Sequence, residues 1–139
     1  MDLGLKDNLV LVTGSGSGIG KQTARVYLEE GARVVVHGLT KDEVSACVSD
    51  LAPFGNVVGK AGDLTNADDA DALCAFVKEQ GALDVLVNNV GIFSVKPFDE
   101  LTDEEWMRYF DINILSAVRM SRVFLPAMLK RGSGSIINM

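Results

Sequence analysis

The sequence predicts an α/β fold, a doubly wound parallel sheet with helices on both faces, and two observations carry that prediction. The first is the stretch from Thr13 to Gly20, Thr-Gly-Ser-Gly-Ser-Gly-Ile-Gly, which joins an apolar run at Leu9 to Val12 to a helical pattern. The run is short, contains β-branched Val and has no polar interruption, as a strand buried on both faces requires. The second is repetition: further strand-length runs follow, separated by segments whose apolar residues fall at helical spacing.

Taken in order, Met1 to Asn8 is a short polar lead. Gly18 to Glu30 reads as the first helix, with Ile19, Ala24, Val26, Tyr27 and Leu28 as its apolar residues and Gly31 as its stop. Arg33 to Val36 is the second strand, and two strands joined by a helix over this distance form a right-handed βαβ unit. Asp42 to Leu51 is the second helix, with Val44, Cys47, Val48 and Leu51 on one face and Pro53 beyond its end. Asn56 to Lys60 is the third strand. Asn66 to Gln80 is the third helix, carrying Ala70, Leu73, Cys74 and Val77 and stopped by Gly81, and Asp84 to Val87 is a dense apolar fourth strand. Thr102-Asp103-Glu104-Glu105 is a capping box that opens a long helix reaching about Arg131. That helix holds more apolar residues than one stripe needs, from Trp106, Tyr109 and Phe110 to Phe124 and Met128, so it has two partners: its own sheet and a second subunit. Ser135 to Asn138 is the fifth strand.

A strand running into glycines and then a helix suggests phosphate binding, because the first turn of a helix offers unpaired N–H groups and a positive dipole end. Glycine lets a pyrophosphate approach that backbone closely. A turn without a ligand is the alternative, which the flanking strand and helix disfavour. The spacing narrows the chemistry. A P-loop is excluded, since Gly20-Lys21 is followed by Gln22 and Ser15 stands where the first glycine belongs. G-x-G-x-x-G also fails, since Gly14 and Gly16 lead to Ile19 and Gly16 and Gly18 lead to Lys21. T-G-x-x-x-G-x-G fits, with Gly14, Gly18 and Gly20 in the glycine places.

That pattern resembles the short-chain dehydrogenase/reductase family, in particular its 3-oxoacyl-carrier-protein reductase-like members. Asp63-Leu64, Asn88-Asn89-Val90-Gly91 with Val for the usual Ala, and Asp111-Ile112-Asn113 resemble further family segments in the same order. The resemblance implies a single NAD(P)-binding Rossmann domain over residues 1–139, with strand order 3-2-1-4-5 and the chain ending after the fifth strand. It implies cofactor contacts from Gly14, Ser15, Ser17, Gly18, Ile19 and Gly20 in the first loop, Leu39 after the second strand, Asp63 and Leu64 after the third, and Asn89, Val90 and Gly91 after the fourth. It makes Asn113 the catalytic assignment, a residue that organises a water in the family's proton path. For Asp63 a turn or N-cap role stands as the alternative, and for Asn113 an amide satisfied within helix packing.

At the end of the second strand a carboxylate binds both ribose hydroxyls and repels a 2'-phosphate, whereas a base welcomes it. Here the segment is His37-Gly38-Leu39-Thr40-Lys41, with neither the family's Asp at Gly38 nor its Arg at Leu39. The missing carboxylate, with Thr40 and Lys41 close by, tilts the expectation toward NADP(H) over NAD(H). A lone His37 at a strand end reads as structural or exposed.

Composition bounds the rest. The 139 residues are 47% hydrophobic and 23% charged, as in an ordinary globular domain, and the net charge of -6 gives a nucleic-acid surface no support. Cys47 and Cys74 lack C-x-x-C spacing and read as buried free thiols, with no metal site or disulfide. No basic segment with an apolar core opens the chain and no apolar run approaches the ~18 residues of a membrane span, so the default location is cytoplasmic.

Carbonyl reduction by hydride needs a proton donor and a group that tunes its pKa. The family uses a Ser and a Y-x-x-x-K pair, yet Tyr27 and Tyr109 are followed four residues later by Gly31 and Asn113, and Met139 precedes the expected Ser. The reading is therefore the dinucleotide-binding part of an oxidoreductase acting on a ketone or secondary alcohol of unspecified size, with Phe93 to Phe98 on the substrate side. The 139 residues alone are expected to be inactive. A non-catalytic dinucleotide-binding or interaction module and an inactive truncated remnant are the alternatives.

Overall fold

The computed structural model describes residues 2–139, in which the strands β1 (Leu9–Val12), β2 (Arg33–Gly38), β3 (Val57–Ala61), β4 (Val85–Asn88) and β5 (Ser135–Asn138) form one sheet. Their order is β3-β2-β1-β4-β5, as expected, and every neighbouring pair is parallel. The central strand β1 pairs with both β2 and β4, Val10 lying opposite Val34 on one side and Val85 on the other.

Successive residues of a strand face opposite sides of its sheet, so an unbroken apolar run supplies two cores at once. Leu9, Leu11, Val35 and Leu86 point into one layer, with Leu73 and Val77 of helix α3 (Ala67–Gln80) and with Met120 and Phe124. Val10, Val12, Val34, Val36 and Val87 point into the other, with Ala24 and Leu28 of α1 (Gly18–Glu29) and Val44 and Cys47 of α2 (Lys41–Leu51). All the strand residues named here are nearly free of solvent.

Three expectations are corrected. The strand β2 runs two residues past Val36, because its ladder with β3 continues through His37 opposite Lys60 and Gly38 opposite Ala61. Polar or side-chain-less residues there carry no hydrophobic signal, but pairing satisfies their backbone. In α1 the buried stripe is Gly20, Ala24 and Leu28, spaced by four, whereas Ile19 and Val26 are exposed. The long helix, finally, is not uniform. A capping box of Thr102 and Glu105 opens α4 (Asp103–Phe110), a π-helical turn covers Asp111–Leu115, and α5 (Ser116–Arg131) completes it.

In α5, Ser116, Met120, Phe124 and Met128 recur every fourth residue and are buried, while Val118, Leu125 and Leu129 are exposed. Pro126 lies inside α5 without ending it, and Gly132, at φ 72°, closes the helix with the Ser133 N–H on the Met128 carbonyl. The joined helical segment Asp103–Arg131 is also long and apolar enough, by length and composition, to cross a membrane. The expectation of no apolar segment of that length is corrected here; Arg119 and Arg122 divide the segment into shorter apolar runs in the sequence.

Candidate functional site

The C-terminal ends of β1, β2, β3 and β4 open onto one cleft of about 490 Å³. Open α/β sheets bind ligands at such an edge, where the strand order reverses, here between β1 and β4. Of the residues expected at the site, Gly14, Ser17, Leu39, Asp63, Leu64, Asn89, Val90 and Gly91 line this cleft. Gly18 and Ile19 lie in the first turn of α1, Ile19 mostly in solvent; Ser15 and Gly20 are buried beneath the loop; Asn113 stands behind Gly91 and Ile92.

The glycine-rich loop is held from below by a closed set of hydrogen bonds. The Ser15 hydroxyl donates to the Val12 carbonyl at 2.6 Å and accepts from the His37 N–H at 2.9 Å, while the Ser15 N–H donates to the His37 carbonyl at 2.7 Å. The Asn89 side chain donates to the Thr13 and Gly14 carbonyls at 3.1 and 2.9 Å, and the Thr13 hydroxyl oxygen accepts from the Asn89 and Val90 N–H groups. Each glycine of the motif has its own reason. Gly14 and Gly18 sit at φ 59° and 56°, a region that side chains disfavour, and Gly20 passes so close to Gly14 and Asn89 that a Cβ there has no room. A Cβ on Gly18, in contrast, meets nothing within 4 Å.

The first turn of α1 differs from those of its neighbours. In α2, α3 and α4 a side chain caps the backbone and acidic residues occupy the first turn. At α1 the N-cap Ser17 makes no side-chain cap bond and no acidic residue follows it. Its unpaired N–H groups and positive dipole end are therefore left for an anion.

Of the two readings of His37, structural or exposed, the structural one holds. It is 3% exposed; its Nδ1 accepts from the Gly14 N–H at 3.1 Å and its Nε2–H donates to the Gly62 carbonyl at 2.8 Å. One neutral tautomer thus ties the β1–α1 loop to the β3–α3 loop. Burial pushes the imidazole below its ordinary value, against the pull of the Gly62 carbonyl and of Glu43 and Asp63. An unfolded chain therefore binds this proton more readily than the folded one. Stability contributed by neutral His37 is complete above the unfolded value near 6.5 and is lost as pH falls toward the depressed folded value. Because His37 is the sole histidine, its imidazole resonances titrate without overlap; we expect them to titrate below pH 6.5, with Tm falling over that interval. A His37→Asn variant is expected to lose this dependence.

At the other loops, the Asp63 carboxylate accepts from the Thr65 N–H and hydroxyl at 2.9 and 2.7 Å, which holds it below the usual carboxylate range. It makes a turn, and Asn66 is the N-cap of α3. Leu64 belongs to the core while also bordering the cleft. Asn113 lies in the π-turn and spends its amide on the backbone of one residue: Oδ1 accepts from the Ile92 N–H at 2.7 Å and Nδ2 donates to the Ile92 carbonyl at 2.9 Å. The ion pair between Asp111 and Arg119, at 2.9 Å, and the Arg119 hydrogen bond to the Leu64 carbonyl bind the same turn to the third loop.

Glu43, Gly62, Arg108, Asp111 and Ser116 also line the cleft, and none of them was assigned to the site from the sequence. Glu43 had a signal: Thr40-Lys41-Asp42-Glu43 has capping-box spacing, and the Thr40 hydroxyl does accept from the Glu43 N–H. Cys47 and Cys74 are buried free thiols, Cys47 donating to the Ser15 carbonyl at 3.1 Å and Cys74 pushed up to about 11 by burial.

A parallel sheet in this order, with an uncapped glycine-rich helix start at its switch point, defines a Rossmann-like α/β protein. Residues 8–139 match the short chain dehydrogenase family, and the chain belongs to that family. It is 51% identical over 138 residues to an uncharacterised oxidoreductase, YvrD, of Bacillus subtilis strain 168, covering 99% of this chain and 52% of the relative. A second oxidoreductase of that strain, YvaG, is 36% identical over 140 residues, with 99% and 52% covered. Among solved structures, L-sorbose reductase of Gluconobacter frateurii, complexed with NADPH and L-sorbose, superposes with a TM-score of 0.91 at 34% identity, covering 98% of this chain and 53% of that one. An actinorhodin polyketide ketoreductase variant with NADPH gives 0.88 at 34% identity, with 94% and 51% covered. The chain spans about half the length of the curated relatives it matches.

Proposed function

We propose that this chain holds a nicotinamide dinucleotide in the cleft, as the binding half of an oxidoreductase that moves hydride between the nicotinamide and a ketone or secondary alcohol. The observation that carries the reading is the open first turn of α1 beside the glycine loop, alone among α1 to α4 in lacking both a side-chain cap and an acidic residue. The residues fit the group: Gly14, Ser17 and Gly18 would form the phosphate cradle, Gly38 and Leu39 would border the adenosine ribose, Asp63 and Leu64 the adenine, and Asn89 to Gly91 the ribose of the nicotinamide half. When bound, the dinucleotide supplies the hydride. The chain's own residues bind and orient it and cover one side of the cleft.

The carbonyl class is supported by the names of the sorbose reductase and the ketoreductase. NADP(H) keeps support from the NADPH in both structures, from Lys41 and from the absent carboxylate at Gly38; Glu43 argues the other way. A proton donor is missing from the site: Tyr109 is hydrogen-bonded to Ser94 in the loop before α4, Tyr27 lies on α1, and neither has a lysine four residues later. We therefore assign binding without turnover to the 139 residues, with Asn113 positioning the loop at Ile92 instead of moving a proton by itself. Exposed Trp106, Phe110, Ile114 and Leu129 support self-association through 103–131, and the buried free thiols support a reducing, cytoplasmic setting.

Isothermal titration with NAD+ and NADP+ tests the reading. Saturable binding of at least one is expected, lost in Gly14→Val, whose Cβ would sit at φ 59° and 3.2 Å from the Val90 backbone. Absence of binding to either, in folded protein, contradicts it.

A further inference from the structure

The end of β2 lacks the carboxylate that reads an unphosphorylated ribose, yet a carboxylate stands in its place. A Cβ built on Gly38 would lie 2.8 Å from Glu43 Oε2 and 2.9 Å from Glu43 Cδ, so the Glu43 head group fills the volume a side chain at Gly38 would take. The same head group lies against Gly16 of the glycine loop, where a Cβ would collide with it. Glu43 reaches there from the first turn of α2, half-buried, with Oε2 accepting from the Leu39 N–H at 3.0 Å. Oε1 makes no hydrogen bond among the described residues and lies against Gly16, and Glu43 is one of the residues that line the cleft.

We infer that Glu43 is the residue that selects between the two dinucleotides, standing in from the helix for the missing strand-end carboxylate and favouring NAD(H) over NADP(H). The inference rests on the dinucleotide reading above and reverses the tilt that Gly38 alone suggests. Its basis is the charge balance at this corner. A 2'-phosphate entering between Gly16 and Gly38 meets a carboxylate already in place, whereas ribose hydroxyls meet an acceptor with a free oxygen. The base nearest in sequence, Lys41, is exposed and does not line the cleft, and His37 beneath is held neutral by its two backbone partners. A side chain at Gly38 or Gly16 would have to displace the Glu43 head group, which glycine at both positions leaves in place.

A purely structural role is the alternative, since Glu43 also sits where an acid favours a helix start. Titrations of NAD+ and NADP+ into the full 139-residue chain and its variants separate the two. The wild type is expected to bind NAD+ at least about tenfold more tightly than NADP+. Glu43→Gln, which keeps the acceptor for the Leu39 N–H, is expected to narrow that ratio at least about fivefold, mainly by tighter NADP+ binding. In Glu43→Ala the volume beside Gly38 is empty, and adding Gly38→Asp there is expected to restore the preference for NAD+. Equal or tighter NADP+ binding by the wild type, or an unchanged ratio in Glu43→Gln, overturns the inference while leaving the dinucleotide reading intact. Binding of neither nucleotide overturns both.

Discussion

Gly20→Ala is expected to lower Tm by roughly 10 °C and to abolish dinucleotide binding. The added Cβ would lie 2.5 Å from the Gly14 carbonyl oxygen and 2.9 Å from the Ser15 Cα, and it would collide with the Asn89 Nδ2. Two of these three neighbours are backbone, so no rotamer change relieves them. Overpacking a tight site costs about 1–3 kcal/mol. The Asn89 amide, displaced from the Thr13 and Gly14 carbonyls, adds about 0.5–1.5 kcal/mol for each hydrogen bond lost. Helix propensity runs the other way, since Ala is favoured over Gly by about 1 kcal/mol inside a helix, so any destabilisation isolates the contact. Gly18→Ala is the control: its Cβ meets open space, and its cost is that of the left-handed φ alone. Thermal unfolding of the two variants side by side decides the matter, and equal Tm values would contradict the packing account.

Replacing Asn113 is expected to release the loop after β4. Both heteroatoms of its amide are committed to the backbone N–H and carbonyl of Ile92, and Ile92 lines the cleft next to Gly91. Asn113→Ala leaves the N–H and carbonyl of half-buried Ile92 without these partners, at about 1–3 kcal/mol, and frees the segment from Val90 to Ile92. Asn113→Asp is expected to be no better, because the carboxylate keeps an acceptor for the Ile92 N–H but turns a second oxygen toward the Ile92 carbonyl. Hydrogen exchange reads this directly. Protection of the Ile92 amide is expected to fall in both variants while that of Leu86 in β4 is kept; unchanged protection at Ile92 would show that the amide pair does not hold the loop.

How much was legible depended on which kind of signal a residue carries. The sheet was readable because Leu9–Val12 and Val85–Val87 supply two cores at once, and only strands covered on both faces have that composition. The loops at the switch point were readable because Gly14, Gly18 and Gly20 answer to backbone demands that leave a spacing in the sequence. His37 left no such trace. Its partners are the Gly14 N–H and the Gly62 carbonyl, backbone groups that any residue possesses, so nothing in the sequence announces the pairing. Glu43 was hidden differently: a Glu in the first turn of a helix is ordinary, and its nearness to Gly16 and Gly38 appears only once β2 and α2 are folded together. Likewise the π-turn at Asp111–Leu115 leaves the apolar composition of the long helix unchanged, yet it carries Asn113 behind the loop at Ile92.

The central claim is that the cleft above β1 and β4 takes a nicotinamide dinucleotide on the glycine loop. Amide chemical-shift mapping of the 139-residue chain during titration with NAD+ tests it most directly, because it reports place as well as affinity. The account predicts saturable shifts concentrated at Gly14 to Gly20, Gly38 to Leu39, Gly62 to Leu64 and Gly91, with Leu125 to Gly132 unmoved. Shifts absent from the glycine loop, or confined to the exposed face of α4 and α5, would contradict it.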